Sequence, residues 1–358
     1  GEQAMLIQAW HYAAPNYPYT CYDVLYRTPR QHVGGCLWHS FDHQRGYHPD
    51  PFYGGLMDVF RQPKYSYYMF QAQRSPKKQD RLFETGPMVY IAHEMTPFSP
   101  KDVTVYSNCD EVRLTYNKGG KSLTYTKPVS REGMPSPIIT FKDVYNFMID
   151  KNMSMKEGRQ KEVFLLAEGL INGKVVATHK VCPARRPSKL LLWIDNENTE
   201  LKADGSDFVT VIAAIADKNG NIKRLNNYYV KFHIEGEGRI LGGANVLANP
   251  APVKWGTAPI LVQSTLKPGK IKITASVLFE GSQMPVSAEL ELESKPSAYP
   301  LIYASEEAAL IPMKSDSQSF PITAKSQKEL EKEKAVKEQN ERKLKEVEQQ
   351  QADFGEKK

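Results

Sequence analysis

Apolar and polar positions change rhythm twice along this chain. From Glu2 to Ala13, Ala4, Met5, Ile7, Ala9, Trp10 and Tyr12 fall among polar neighbours with helical spacing. The same spacing returns from Pro63 to Arg74 through Tyr65, Tyr68, Met69 and Ala72. Pro63 suits a first helical turn, where its missing N–H would have no partner anyway. Tyr17-Pro18-Tyr19 and Thr28-Pro29 punctuate the chain between these helices. Val33 to Trp38, with Gly34-Gly35 near its start, predicts a short buried strand. His39, Asp42, His43, Arg45, Tyr47, His48 and Asp50 then follow neither period, which predicts a loop. Polar and aromatic groups massed where a buried strand ends are the arrangement of a binding site on an α/β scaffold.

Ser75 to Asp80 reads as a polar linker, and from about Met88 the pattern is all-β. Alternation predicts strands at 88–94, 102–107, 110–116, 121–126, 138–141, 162–168 and 174–181. The turns between them include Asn117-Lys118-Gly119-Gly120 and Asn172-Gly173, the second a strong hairpin signal. Seven short strands in that space suggest an immunoglobulin-like sandwich. Pro183, Arg185-Arg186 and Pro187 mark a boundary. A second β set follows at 189–195, 207–216, 228–234, 257–263, 270–279 and 285–293. Its turns fall at Asp217-Lys218-Asn219-Gly220 and in the cluster Gly236, Gly238, Gly242 and Gly243. The tail from about Lys325 is charged and helix-favouring, with Glu333/Lys337, Glu338/Arg342 and Glu341/Lys345 at stabilising spacing. Its apolar positions (Leu330, Val336, Leu344, Val347) are too sparse for a coiled-coil seam, so it reads as a solvated helix.

Composition narrows the classes. With 41% apolar and 25% charged residues over 358 positions, the chain is ordinary globular material with room for two or three domains. No apolar run approaches the ~18 residues of a membrane span. A net charge of +6 is mild, and the basic residues are dispersed among acids, which argues against nucleic-acid binding. Cys21, Cys36, Cys109 and Cys182 lie far apart and form neither a CxxC pair nor a zinc spacing. Cys36, inside the apolar run, is expected to be a buried thiol. His39, His43 and His48 with Asp42 and Asp50 fit no firm metal site, so no metal or cofactor is expected. There is no Gly-x-Ser-x-Gly, and no Gly-Gly pair has the Gly-Lys-Ser/Thr ending of a phosphate loop. The chain opens without an initiator Met, apparently inside a helix, so its true start is expected to lie upstream.

The run Gly34 to Arg74 carries Trp38, Phe41-Asp42, Arg45-Gly46-Tyr47, Gly55-Leu56-Met57-Asp58 and Phe60-Arg61-Gln62-Pro63-Lys64-Tyr65-Ser66-Tyr67-Tyr68. In this order it resembles the end of a glycoside hydrolase family 2 catalytic barrel, of the β-galactosidase-like type of polysaccharide-degrading bacteria. In that family the run is the eighth strand, its active-site loop and the eighth helix. The second β set resembles the bacterial Ig-like domains that follow such barrels, through Leu201-Lys202-Ala203-Asp204-Gly205 ahead of Asp207. A whole (β/α)8 barrel takes about 250 residues, and this region supplies about one and a half of its units.

The resemblance implies a multidomain, mainly β chain. Residues 1–80 would be the C-terminal end of a TIM barrel, and 81–186 an Ig-like β-sandwich. A bacterial Ig-like β-sandwich would follow at 187–296, then an extended segment and charged helical tail at 297–358. It implies a retaining glycosidase cleaving terminal β-glycosidic bonds in poly- or oligosaccharides. Such chemistry needs two carboxyl groups about 5–5.5 Å apart. In the family these are glutamates at the ends of the fourth and seventh strands, upstream of residue 1. Glu2 opens a helix rather than ending a strand and is rejected as one of them. The chain by itself is therefore expected to hold no catalytic residue and to turn nothing over. Trp38 matches the family's aromatic residue at the end of strand eight, whose flat apolar face suits a pyranose ring. Asp42 would accept hydrogen bonds from sugar hydroxyls, His39 lies beside them, and Arg45 would take an anionic substituent. The expected partners are a carbohydrate and the N-terminal part of the enzyme, in a periplasmic or secreted setting. The competing reading is a carbohydrate-binding or spacer module of Ig-like domains. A tandem-Ig adhesin fits residues 1–74 poorly.

Overall fold

The computed structural model describes residues 1–13, 22–28, 31, 33–46, 51–79, 84–117, 122–130, 132–149, 151, 163–195, 199–278 and 285–298. The expected tail helix, Cys21 and the site-loop residues Tyr47, His48 and Asp50 lie outside them. The described chain is mainly β, with two sandwiches preceded by a small helical region.

Helices α1 (Glu2–Ala13), α2 (Tyr22–Leu25) and α3 (Tyr65–Gln71) form that region. Ala9 and Ala13 bring α1 close to Tyr65, Met69 and Ala72, and this apolar seam continues onto Ala92, Tyr106 and Met134 of the first sandwich. The expected strand at 33–38 is absent: these residues make no ladder, and Val33 and Trp38 are 100% and 88% exposed. A parallel barrel strand is hydrogen-bonded on both sides, and no described strand lies beside this one. Cys36 is exposed for the same reason, rather than buried.

The first sandwich contains β1 (Val89–Ala92), β2 (Val103–Ser107), β3 (Glu111–Tyr116), β4 (Ser122–Thr126), β5 (Ile139–Phe141), β6 (Leu165–Ile171) and β7 (Lys174–Val181). A sheet β1-β2-β5 faces a sheet β4-β3-β6-β7, and all neighbours within each are antiparallel. Val103, Val105, Val112, Leu114 and Leu165 meet in the core between them. Asn172 and Gly173, at φ 52° and 73°, make the tight β6–β7 turn that the Asn-Gly pair demands. On the outer face of β1, Tyr90 stacks on Tyr68 of α3 at 3.6 Å and on His179 at 4.6 Å. His179 Nδ1 accepts the Ile91 N–H, and burial holds this imidazole below its ordinary pKa.

The second sandwich contains β8 (Lys189–Asp195), β9 (Lys202–Ala203), β10 (Phe208–Ala216), β11 (Tyr229–Gly236), β12 (Gly238–Ile240), β13 (Ala251–Pro252), β14 (Thr257–Ser264), β15 (Gly269–Leu278) and β16 (Ala288–Pro296). Its sheets run β12-β14-β10-β8 and β13-β11-β15-β16-β9, with β9 parallel to β16. Residues 209–216 of β10 are buried on both faces, which suits an unbroken run of Val, Ala, Ile and Thr. Asp217, fully buried, ties the connector to this sandwich. It accepts N–H bonds from Asn219 and Asn221 on Oδ1, and from Arg185 and the Asn221 amide on Oδ2. Burial alone would raise its pKa, but these bonds hold it below the usual carboxylate value.

Three regions meet at one polar cluster. Glu94, just after β1, accepts from Tyr65 O–H at 3.3 Å and from Arg224 Nε at 3.0 Å. Arg224, between β10 and β11, also donates to the Trp255 carbonyl at 3.2 Å. Glu2 lies alongside and accepts from the Glu94 N–H and the Ser99 hydroxyl. Burial holds the Glu2 carboxyl above its ordinary value despite those two bonds, with the Glu94 charge adding to the rise and Arg224 opposing it. The native chain thus binds this proton more tightly than the unfolded one. Glu2's stabilising contribution is complete below the ordinary value of 4.5 and is lost as pH rises through the native value. Glu2→Gln is expected to flatten that decline. Urea midpoints at weakly acidic and neutral pH would drop less between the two conditions than in the parent.

Candidate functional site

Residues 38–46 and 51–64 form the described part of the loop from which the sequence placed its site residues. Its frame is backbone: Met57 donates to the Ser40 carbonyl at 3.1 Å and accepts the Asp42 N–H at 2.9 Å. His43 and Phe52 exchange a pair of N–H···O bonds. Gly55 sits where a Cβ would meet the Asp42 nitrogen and the Phe41 carbonyl carbon at 2.2 Å, so only glycine lets the two backbone segments close. The helices hold the frame from below. Gln8 donates to the carbonyls of Tyr53 and Gly55, and Tyr12 O–H donates to that of Gly54.

The four predicted site residues do not stand together at one surface. Trp38 is 88% exposed, meeting His39 edge-on at 6.0 Å between ring centres. His39 packs against His43 at 4.4 Å and Phe52 at 4.7 Å. Desolvation, followed by repulsion from His43, holds His39 below its ordinary pKa, so it is neutral near pH 7 and can both donate and accept. Arg45 places its guanidinium 5.5 Å from the centre of the Phe52 ring. Asp42 lies underneath at 6% exposure, its Oδ1 accepting from Gly55 N–H at 3.0 Å and from Lys64 Nζ. Lys64 Nζ also donates to the Tyr53 carbonyl. Trp38, His39 and Arg45 thus form an aromatic and cationic outer layer, and Asp42 an ionic underlayer.

Phe52, Lys64 and Gly55 are the residues of this arrangement to which sequence reasoning gave no individual role. Gly55 and Lys64 stood only as letters of the family motif, and Phe52 only as one more aromatic near the histidines. Asp58 pins the neighbouring turn by accepting from Phe60 N–H at 2.8 Å and Gln62 N–H at 2.9 Å. Burial, opposed by these bonds, holds its carboxyl above the usual value. Among the described residues no group of three His, Cys, Asp or Glu side chains is placed to hold a metal ion. No described helix is long and apolar enough to cross a membrane.

Residues 192–278 match the family model for glycoside hydrolase family 2 C-terminal domain 5. A β-galactosidase of Thermoanaerobacter pseudethanolicus is 32% identical over 273 residues, covering 74% of this chain and 34% of the relative. The chain belongs to glycoside hydrolase family 2, matching its C-terminal portion. Among its other relatives, a β-galactosidase of Bacteroides ovatus is 28% identical over 261 residues, 68% of this chain and 27% of the relative. A solved β-glucuronidase of glycoside hydrolase family 2 superposes with a TM-score of 0.58 at 21% identity, over 84% of this chain and 28% of that one. The chain therefore spans 34% and 27% of the lengths of these two β-galactosidase relatives. The structural likeness supports the same mainly β fold over the matched part.

Proposed function

We propose that the chain is the C-terminal part of a retaining, β-galactosidase-like glycosidase that cleaves terminal β-glycosidic bonds in poly- or oligosaccharides. Residues 1–80 are then the end of its barrel, and the two sandwiches are immunoglobulin-like domains behind it. The observation that carries this reading is Trp38, bare to solvent above a loop held rigid by Asp42 and Lys64. A flat aromatic face presented beside His39 and Arg45 suits the C–H face of a sugar ring with polar groups at its rim. Ile7, Trp10, Val33 and Val59 are also exposed in this region, as a barrel strand and helices would be where neighbouring units supply their cover. Asp42 serves the sugar through the loop shape it fixes, its carboxylate being buried. The catalytic carboxyl pair belongs to the part of the enzyme ahead of this chain, and the setting is periplasmic or secreted, as the resemblance implies.

The test is a titration of purified 1–358 with β-linked galacto-oligosaccharides, read by tryptophan fluorescence and calorimetry, alongside a chromogenic galactoside assay. We expect weak binding that Trp38→Ala abolishes, with no turnover. Binding unchanged in Trp38→Ala would overturn the site, and hydrolysis by the isolated chain would overturn the placement of the carboxylates.

A further inference from the structure

The second sandwich touches the site region at a point that an inert spacer would not need. Asp195 is the last residue of β8, where it pairs in register with Thr210 of the doubly buried β10. Its Oδ2 accepts a 2.9 Å hydrogen bond from Nε2 of Gln62, 133 residues earlier in the chain. Gln62 is no loose surface residue. Its N–H donates to the Asp58 carboxylate and its carbonyl accepts the Asp58 N–H at 3.0 Å. Arg61, at φ 64°, closes the same turn by donating to the Asp58 carbonyl at 3.1 Å. The turn leads directly into Met57, which bridges Pro63 on one side and the Ser40–Asp42 segment on the other. An unbroken sequence of hydrogen bonds and backbone therefore runs from a strand of the second sandwich to the residues next to Trp38 and His39.

We infer that the second sandwich is a positioning element for the site loop, acting through the Asp195–Gln62 hydrogen bond on the turn that carries Met57. As a statement about a sugar-binding loop this rests on the function proposed above, but the coupling itself is a property of the free protein. A tether that merely joins two domains would have no effect on the amides of Ser40 to Met57. A positioning element would. Asp195 and Gln62 are positioning residues in this sense, since neither lies in the layer formed by Trp38, His39 and Arg45.

Hydrogen exchange on the full chain 1–358, without any sugar, separates these cases. Asp195→Ala and Gln62→Ala are each expected to speed exchange of the Asp42 and Met57 amides by about fivefold, the value of one ordinary hydrogen bond. The double variant should exceed Gln62→Ala by less than about twofold, because the two changes remove one shared interaction. Asp195→Asn should restore parent rates, since its amide oxygen accepts the same bond. The Ile260 and Val262 amides in β14 should stay protected throughout, showing that the second sandwich is folded; if Asp195→Ala fails this control, Gln62→Ala alone decides. Unchanged Asp42 and Met57 rates in a folded variant would overturn the inference, as would full additivity in the double variant. Because no ligand enters the measurement, its failure leaves the sugar-binding reading standing, and the fluorescence titration of Trp38 can fail without affecting it.

Discussion

Asp42→Ala is expected to cost about 3 kcal/mol of loop stability, at the low end of the range for removing one partner of a buried ion pair. The Asp42 and Lys64 side chains are 5% and 14% exposed, so neither has water to fall back on. Truncation strands the Lys64 ammonium beneath the loop and leaves the Gly55 N–H, which now donates to Asp42 Oδ1, without its acceptor. Both losses fall on one short segment, so the loop opens before the sandwiches do. The measurement is exchange of the Gly55 and Asp42 amides, expected to rise by about two orders of magnitude while β10 amides hold. Asp42→Asn should fall between, since an amide oxygen still accepts from Gly55 but leaves Lys64 without its counter-charge. Equal protection in the parent and Asp42→Ala would show that the backbone frame alone holds the loop.

Arg224→Ala is the second large effect, expected at about 2–3 kcal/mol. The Arg224 side chain keeps 24% exposure and Glu94 15%, which places the pair below a fully buried one. Its removal leaves the Glu94 carboxylate beside Glu2 with Tyr65 as its one side-chain hydrogen-bond donor among the described residues. Arg224→Lys should not rescue, because one ammonium cannot reproduce the fork that spans Glu94 and the Trp255 carbonyl. Calorimetry would read this as a lowered melting temperature and a transition that splits as the second sandwich loses its grip on the first. A single unshifted transition in Arg224→Ala would refute the role.

Sequence alone made the long strands legible because most alternate between a core face and a more exposed one, while β10 shows as an unbroken apolar run. β2, β3, β7 and β14 lie within a residue of their predicted bounds, and α1 runs over the expected residues. β6 begins at Leu165 and runs to Ile171, later than alternation placed it. β9, β12 and β13 escaped notice because two or three residues carry no period. β12 also hides in a glycine cluster read as a turn. Val33–Trp38 misled for the opposite reason: its apolar run states what the residues would prefer to bury, whereas a strand also needs neighbours. At the site, Trp38, Asp42 and Arg45 were visible through the family motif, and His39 through the polar run that follows the predicted strand. Lys64 and Gln62 were visible only as letters in that motif, because their partners Asp42 and Asp195 lie 22 and 133 residues away. Asp217 was read as a turn residue, but its bond to Arg185 across the connector has no local signature.

The Asp195–Gln62 contact also bears on how chains of this family can be recombined. Cutting at the proline-flanked connector and grafting on a relative's last module would preserve each hydrophobic core yet sever this handshake. On the coupling inferred above, Asp195 and Gln62 are inherited as a pair, so the heritable unit reaches from the second sandwich into the site loop.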